Sequence, residues 1–212
     1  MQNKEIEYKF TVSEEDIPLI ESHPILSRYT DQPPKEHYLQ AVYFDTQNED
    51  LRRKGYVLRI RRFDELLTQT LKKDVSCQGP EKGLHQRLEW NWVLLSPELD
   101  VDLLPGDIKA ELALFLPKLQ PIFTGEFKRK IWQLNVENDT QIECSIDQGI
   151  LAVSEQTLPI CELELELKAG QPEVLDEVVL RLQKDVPLSP ESKSKAYRGY
   201  MLYQNAMKGQ YA

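Results

Sequence analysis

Two Glu-x-Glu pairs stand far apart in the 212-residue chain, Glu5-Ile6-Glu7 near its start and Glu162-Leu163-Glu164 late in it. Side chains two residues apart on a strand share a face, so each pair would present two carboxylates side by side. Hard divalent cations such as Mg²⁺ or Mn²⁺ prefer such oxygens, together with water and substrate phosphates. Arg59, Arg61, Lys72, Arg87, Arg129 and Lys195 carry the opposite charge. Guanidinium forks match phosphate oxygens, and these side chains together could neutralise a polyanion. A polyphosphate, with basic side chains on one flank and a metal on the other, is the simplest ligand that satisfies both sets.

Taken singly, each alternation of charged and apolar residues would be an ordinary solvated strand face. Repetition and residue type argue otherwise. Arg59 and Arg61 alternate with Leu58 and Ile60, Arg87 and Glu89 with Leu88 and Trp90, and Glu143, Ser145 and Asp147 with Ile142, Cys144 and Ile146. Glu162, Glu164 and Glu166 put three like charges on one face, which repel unless cations compensate them. If all these faces point into one closed barrel, the charges meet in an aqueous tunnel and helices cover the apolar outside. Glu166 is divided between that tunnel and solvent at the strand end, and Glu143 is read as an orienting partner for an arginine. His85 is read as a structural hydrogen-bonder, and Arg198, three residues after Lys195, as a brace on the last helix.

The elements that must position these groups are mostly strands. Strict alternation marks one from Glu5 to Val12, and others are expected at 38–46, 56–63, 66–73, 85–95, 127–136, 141–147 and 159–167, with Asn138-Asp139 as a turn. Ser13 followed by Glu14, Glu15 and Asp16 opens a short helix that Pro18 and Pro24 limit. Leu103, Ile108, Leu112, Phe115 and Leu119 recur at helical spacing, so 96–125 reads as a helical insertion outside the sheet. A helix from Pro172 carries the apolar stripe Val174, Leu175, Val178, Val179 and Leu182, and a last helix follows Pro190. Gln78 to Gly83 is the expected mobile loop. The fold class is therefore α+β, mainly β, with residues 1–212 forming one domain.

The formal net charge is −9, so nucleic acid and anionic membranes are poor partners for the molecule as a whole. A local cationic tunnel remains compatible with that total, because low-dielectric walls focus the field of the charges lining them. Cys77, Cys144 and Cys161 give an odd count without paired spacing, which argues against a disulfide framework or a cysteine zinc site and for the cytoplasm. The sequence shows neither a signal core nor an apolar run of membrane-spanning length.

Glu5-Ile6-Glu7-Tyr8-Lys9 resembles the Glu-x-Glu-x-Lys signature of the CYTH superfamily, the triphosphate tunnel metalloenzymes. Tyr43-Phe44-Asp45-Thr46, Leu58-Arg59-Ile60-Arg61, Thr70-Leu71-Lys72, Arg87-Leu88-Glu89, Arg129, Ile146-Asp147-Gln148-Gly149, Glu162-Leu163-Glu164 and Ser194 to Tyr200 follow in the expected order. Gly83 to Arg87, Asp147-Gln148-Gly149 and Ile160 to Leu167 are most similar to the bacterial inorganic triphosphatases of that family. Such relatives often carry a further C-terminal helical domain; the resemblance here is to a catalytic domain standing alone or to a truncated chain.

The resemblance implies an eight-stranded antiparallel tunnel and metal-dependent hydrolysis of inorganic triphosphate to pyrophosphate and phosphate. It implies that Glu5, Glu7, Glu162 and Glu164 are metal ligands for Mg²⁺ or Mn²⁺, with Asp147 as a further contributor. It makes Lys9, Arg59, Arg61, Lys72, Arg87, Arg129 and Lys195 phosphate clamps, with Glu5, Glu7, Lys9, Glu162 and Glu164 as the catalytic set. One metal would orient the substrate and a second would activate water. Class IV-type adenylyl cyclisation, hydrolysis of thiamine or nucleoside triphosphates, and a non-catalytic polyphosphate-binding module stay open as alternatives. Oligomeric state is left open too.

Overall fold

The computed structural model describes residues 2–74 and 84–209. The expected loop from Gln78 to Gly83, and Cys77 with it, lie outside the described residues.

Eight strands make the barrel: β1 (Gln2–Thr11), β2 (Lys35–Asp45), β3 (Tyr56–Phe63), β4 (Leu66–Asp74), β5 (Leu84–Val93), β6 (Gln120–Val136), β7 (Thr140–Val153) and β8 (Gln156–Ala169). They follow the order β5-β4-β3-β2-β6-β7-β8-β1, and antiparallel pairing of β1 with β5 closes the ring. The expected eight-stranded antiparallel barrel is thus the observed one. A two-residue strand, β9 (Ser189–Pro190), joins the far end of β1 opposite Phe10 and Thr11.

Local chemistry explains the connections. Asn138 and Asp139 both adopt left-handed backbone, with φ of 59° and 53°, as a tight type I′ turn between β6 and β7 requires. The Ser13 hydroxyl accepts from the Asp16 amide at 3.2 Å, and Pro18 and Pro24 sit in the first turns of α1 (Ile17–Glu21) and α2 (Pro24–Tyr29). The region expected to be a helical insertion contains α4 (Gly106–Leu112) between short 3₁₀ turns, but Gln120 to Gly125 already belong to β6. Prolines at 117 and 121 hid that strand start from a pattern reading.

Three apolar clusters position the barrel. On one outer face, Phe10, Leu134, Ile142, Cys144, Leu163 and Leu165 pack under α2 and α5 (Pro172–Asp185), the latter through Leu175, Val178, Val179 and Leu182. On the other, Tyr56, Leu58 and Leu71 pack under Leu51 of α3 (Asp50–Arg53) and Ile108 and Leu112 of α4. The third cluster lies on the inner face. Phe123 and Phe127, Leu151 and Val153, and Ile160 share the strand parity of Arg129, Asp147 and Glu162, and they pack against Ala196, Tyr200, Tyr203 and Ala206 of α6 (Lys195–Gly209). The last helix therefore closes one end of the barrel from within, whereas the reading of late helices as outer cover holds for α5. The inner positions at that end are apolar, and burying them against a helix is the favourable outcome.

Two motif glycines owe their place to that end. A Cβ on Gly149 would overlap the Glu126 carbonyl oxygen and lie 2.8 Å from Phe127 Cα, and one on Gly199 would overlap the Phe123 ring. Asp45, fully buried, accepts from the amides of Thr46, Leu51 and Arg52 at 2.7, 2.9 and 3.0 Å and from the Tyr200 hydroxyl at 2.8 Å. It ties α3 and α6 to the end of β2.

Candidate active site

The middle of the barrel encloses a cavity of about 500 Å³. Eight of its lining side chains are lysine or arginine and six are glutamate, so the cavity is locally cationic in a molecule whose net charge is −9. Alternation puts these groups there: Glu5, Glu7 and Lys9 from β1, Arg59 and Arg61 from β3, Lys72 from β4, Arg87, Glu89 and Asn91 from β5, Arg129 from β6, and Glu164, Glu166 and Lys168 from β8.

Most of these charges are already paired. The Lys9 ammonium lies 3.2 Å from Glu7 and 2.9 Å from Glu164, cross-strand from which it sits. Lys72 donates to both Glu5 oxygens at 2.6 and 2.8 Å. Arg129 grips Asp147 through two hydrogen bonds of 2.6 Å and reaches Glu164 at 2.8 Å. Lys195, at the first turn of α6, contacts Asp147 at 2.8 Å, Glu164 at 2.7 Å and also Glu162. Burial would raise the Glu164 pKa, but Lys195, Lys9 and Arg129 outweigh it and hold the carboxyl well below the usual range.

Arg59 and Arg61 are the exception. Among the described residues neither forms an ion pair, and Nε of each is buried without a hydrogen-bond partner; Arg59 Nη1 reaches only the Tyr43 hydroxyl, at 3.4 Å. Burial, with the charges of Arg59 and Arg129 beside it, pushes the Arg61 pKa down to about 10. Two cations facing a cavity without a counter-ion form a receptor for an anion.

The sequence matches the CYTH domain family over residues 3–200. The chain belongs to that family. An inorganic triphosphatase of Haemophilus influenzae is 33% identical over 201 residues, which cover 94% of this chain; the chain spans about half, 55%, of that relative's length. Solved structures share the fold at lower identity. A candidate adenylyl cyclase from Hippeastrum, described as having a dominant triphosphatase activity, aligns with TM-score 0.63 at 18% identity over 95% of this chain and 96% of its own. The Mimivirus capping enzyme triphosphatase aligns with TM-score 0.52 at 10% identity over 86% and 88%.

Within this CYTH barrel, Glu5, Glu7, Lys9, Arg59, Arg61, Lys72, Arg87, Arg129, Glu164 and Lys195 all line the one cavity. Asp147 and Glu162 do not: both are fully buried beneath the Lys195 ammonium, and Glu162 is also paired with Arg198. Arg198 thus braces α6 against β8. Glu166 reaches the cavity, facing Glu7 across β1 and Glu143 across β7, and Lys168 donates to it at 2.7 Å. Burial, with Glu5 and Glu7 adding to it, pushes the Glu166 carboxyl up to about 7. Glu143 accepts from Gln133 at 2.9 Å, and its salt-bridge partner is Lys168 at 3.8 Å instead of an arginine. His85 Nε2 donates to the Glu191 carbonyl at 2.9 Å, leaving Nδ1 to accept from Arg87 at 3.3 Å, and it stays outside the cavity lining.

Glu89 and Glu166 lie on faces expected to point inward but carried no assigned role, and Asn91 and Lys168 are further lining residues that continuing the parity of Arg87 and Glu164 along their strands reaches. Tyr43 of the Tyr43-Phe44-Asp45-Thr46 motif meets Arg59 through its hydroxyl, a contact that strand parity does not reveal.

The lining carboxylates are oxygen donors of the kind Mg²⁺ or Mn²⁺ takes. Among the described residues no three acidic or histidine side chains converge as a ready-made metal site. They stand as pairs on the wall, each engaged by a lysine or arginine. That suits a cation bound by one or two carboxylates with substrate phosphates supplying further oxygens, the usual habit of Mg²⁺. The donor set fits. Among the described residues no helix is long and apolar enough to cross a membrane.

Proposed function

We propose that the protein hydrolyses inorganic triphosphate to pyrophosphate and orthophosphate, using a divalent cation, Mg²⁺ or Mn²⁺. The observation that carries this reading is the pair of buried cations, Arg59 and Arg61, which face an enclosed charged cavity without a carboxylate partner. The likeness to the Haemophilus influenzae inorganic triphosphatase supports it.

Arg59, Arg61, Arg87 and Arg129, with Lys9, Lys72 and Lys195, bind the phosphoryl oxygens from several sides of the barrel. Phosphoryl transfer needs little covalent participation by protein groups, so positioning and charge neutralisation are the main contributions expected of them. Glu5, Glu7 and Glu164 would hold the cation, which when bound would supply polarisation of phosphoryl oxygens and a lowered pKa of a coordinated water. Asp147 and Glu162 serve from behind the wall: they fix the Arg129 and Lys195 head groups in the lumen. Lys9 and Lys72 exchange glutamate for phosphate oxygens when substrate enters, freeing Glu5 and Glu7 as ligands.

The test is phosphate release from inorganic triphosphate with Mg²⁺, with Mn²⁺ and with chelator. Release that chelator abolishes is the expected result. Metal-independent release would remove the cation, and no release would remove the activity; pyrophosphate and cyclic AMP from ATP would move the protein to the cyclase class.

A further inference from the structure

The cationic part of the lumen is bounded at both ends. At one end α6 packs Ala196, Tyr200 and Tyr203 onto the apolar inner positions Phe123, Phe127 and Leu151, which exclude a phosphate chain from passing Lys195. At the other end a second cavity, of about 480 Å³, opens where β2 begins and β3 and β6 finish. Glu143 of β7 is the one described residue that lines both chambers.

The charge balance reverses at that junction. Lysine and arginine outnumber glutamate in the inner chamber, whereas no arginine lines the second one and its single lysine, Lys35, is opposed by Asp31 and Glu143. Glu143 stands cross-strand from Glu166, and the two carboxylates share one ammonium: Lys168 lies 2.7 Å from Glu166 and 3.8 Å from Glu143. A negative charge is therefore left at the junction. Its position is fixed, because Glu143 Oε2 accepts at 2.9 Å from the side-chain amide of Gln133, directly opposite on β6. Asp147, which holds Lys195 and Arg129, lies four residues further along the same strand, so about 13 Å of β7 separates that clamp from Glu143.

We propose that Glu143 sets the length of the phosphate chain that the lumen accepts, its carboxylate repelling the end of any chain longer than triphosphate. The proposal rests on the inner chamber holding triphosphate, and it names the residue that limits that substrate class. A chain of four phosphates cannot shift toward α6, where the inner positions are apolar. Its free end is pushed toward Glu143 and into a chamber without excess positive charge.

The experiment is hydrolysis of radiolabelled inorganic triphosphate with unlabelled inorganic tetraphosphate as competitor, by the unaltered protein, Glu143→Gln and Glu155→Gln. The first variant keeps the shape and leaves Gln133 an amide oxygen as acceptor. The second, exposed in the turn between β7 and β8, controls for the change in net charge. The quantity read is the ratio of the tetraphosphate Ki to the triphosphate KM, which the label reports whether or not tetraphosphate is itself cleaved. Removing the charge at Glu143 should lower that ratio about fivefold or more, with kcat for triphosphate kept within about twofold. Glu155→Gln should leave the ratio as it is. An unchanged ratio in Glu143→Gln, or an equal fall in Glu155→Gln, would overturn the assignment, as would an unaltered protein that binds tetraphosphate as tightly as triphosphate. Failure of the triphosphate reading looks different: the unaltered protein would then convert no labelled triphosphate.

Discussion

Arg129 and Asp147 stand directly opposite one another on β6 and β7 and are joined by a two-pronged ion pair, Nε to Oδ1 and Nη2 to Oδ2, each 2.6 Å long. Asp147 also holds Lys195, so one buried carboxylate fixes two of the cations at the cavity wall. Asp147→Asn keeps the shape but removes the charge that both cations face. Breaking a buried pair from one side costs about 3–5 kcal/mol, so a lower Tm is expected together with a raised KM for triphosphate. An unchanged KM in folded variant would show that Asp147 has no part in positioning the clamp.

Arg61 should behave in the opposite way. It has no ion-pair partner among the described residues and its pKa is pushed down to about 10, so its burial opposes folding. Arg61→Met should leave Tm unchanged or raise it while KM for triphosphate rises about tenfold or more, the loss of a charge-assisted contact. Thermal melts and initial rates on the same preparation decide the matter. A marked fall in Tm with no change in KM would assign Arg61 to the scaffold.

Glu162 and Glu164 belong to the same motif but occupy different surroundings, since Glu164 lines the cavity and Glu162 is sealed behind Lys195 and Arg198. Glu164→Gln should weaken Mn²⁺ binding, read by titration calorimetry, by roughly tenfold or more. Glu162→Gln should leave Mn²⁺ binding nearly intact and instead lower Tm, because Lys195 and Arg198 lose a shared counter-ion. Equal loss of Mn²⁺ affinity in both would return Glu162 to the metal set.

The Glu166 carboxyl gives a pH signature. Burial raises its pKa from the ordinary 4.5 to about 7 in the metal-free protein, so between those values the folded chain keeps a proton that the unfolded chain has released. Stability falls as pH rises across that window where the folded state binds more protons. Glu166→Gln removes this component, so its stability relative to the unaltered protein should climb from pH 4.5 to about 7 and then level off. Denaturant titrations in chelator across that range measure it; a constant difference would contradict the assignment.

Gly149 is where the barrel tolerates no side chain. A Cβ would run into the backbone of Glu126 and Phe127, which cannot swing aside as a side chain would. Gly149→Ala should destabilise by about 2–3 kcal/mol or more, and the loss should appear in unfolding whether or not triphosphate is bound. A stable, active Gly149→Ala protein would mean that β6 and β7 can separate locally at low cost.

The barrel was legible because its signal is carried by many residues at once. Alternation at Arg59 and Arg61, at Arg87 and Glu89, and at Glu162 and Glu164 repeats a period of two, and period two already decides which side chains share a face. Helix α5 was legible for the same reason, through the stripe of Leu175, Val178, Val179 and Leu182. Helix α6 was seen but misplaced, because an apolar stripe says that a surface is buried without saying which surface buries it. The start of β6 was hidden by prolines that a pattern reading counts as breaks.

Sequence alone thus determined the charge inventory of the lumen and the strands that carry it, since parity along a strand is a local property of the backbone. Only the tertiary structure decided depth and partnership. Glu162 and Glu164 are identical in type and two residues apart, yet α6 reaches in with Lys195 and Arg198 to seal the first and leaves the second on the wall. Glu166, which the sequence left divided between tunnel and solvent, is drawn inward beside Glu7 by the register of β1 on β8. Those outcomes depend on contacts between residues more than 25 positions apart in the chain, and no spacing rule within one strand can encode them.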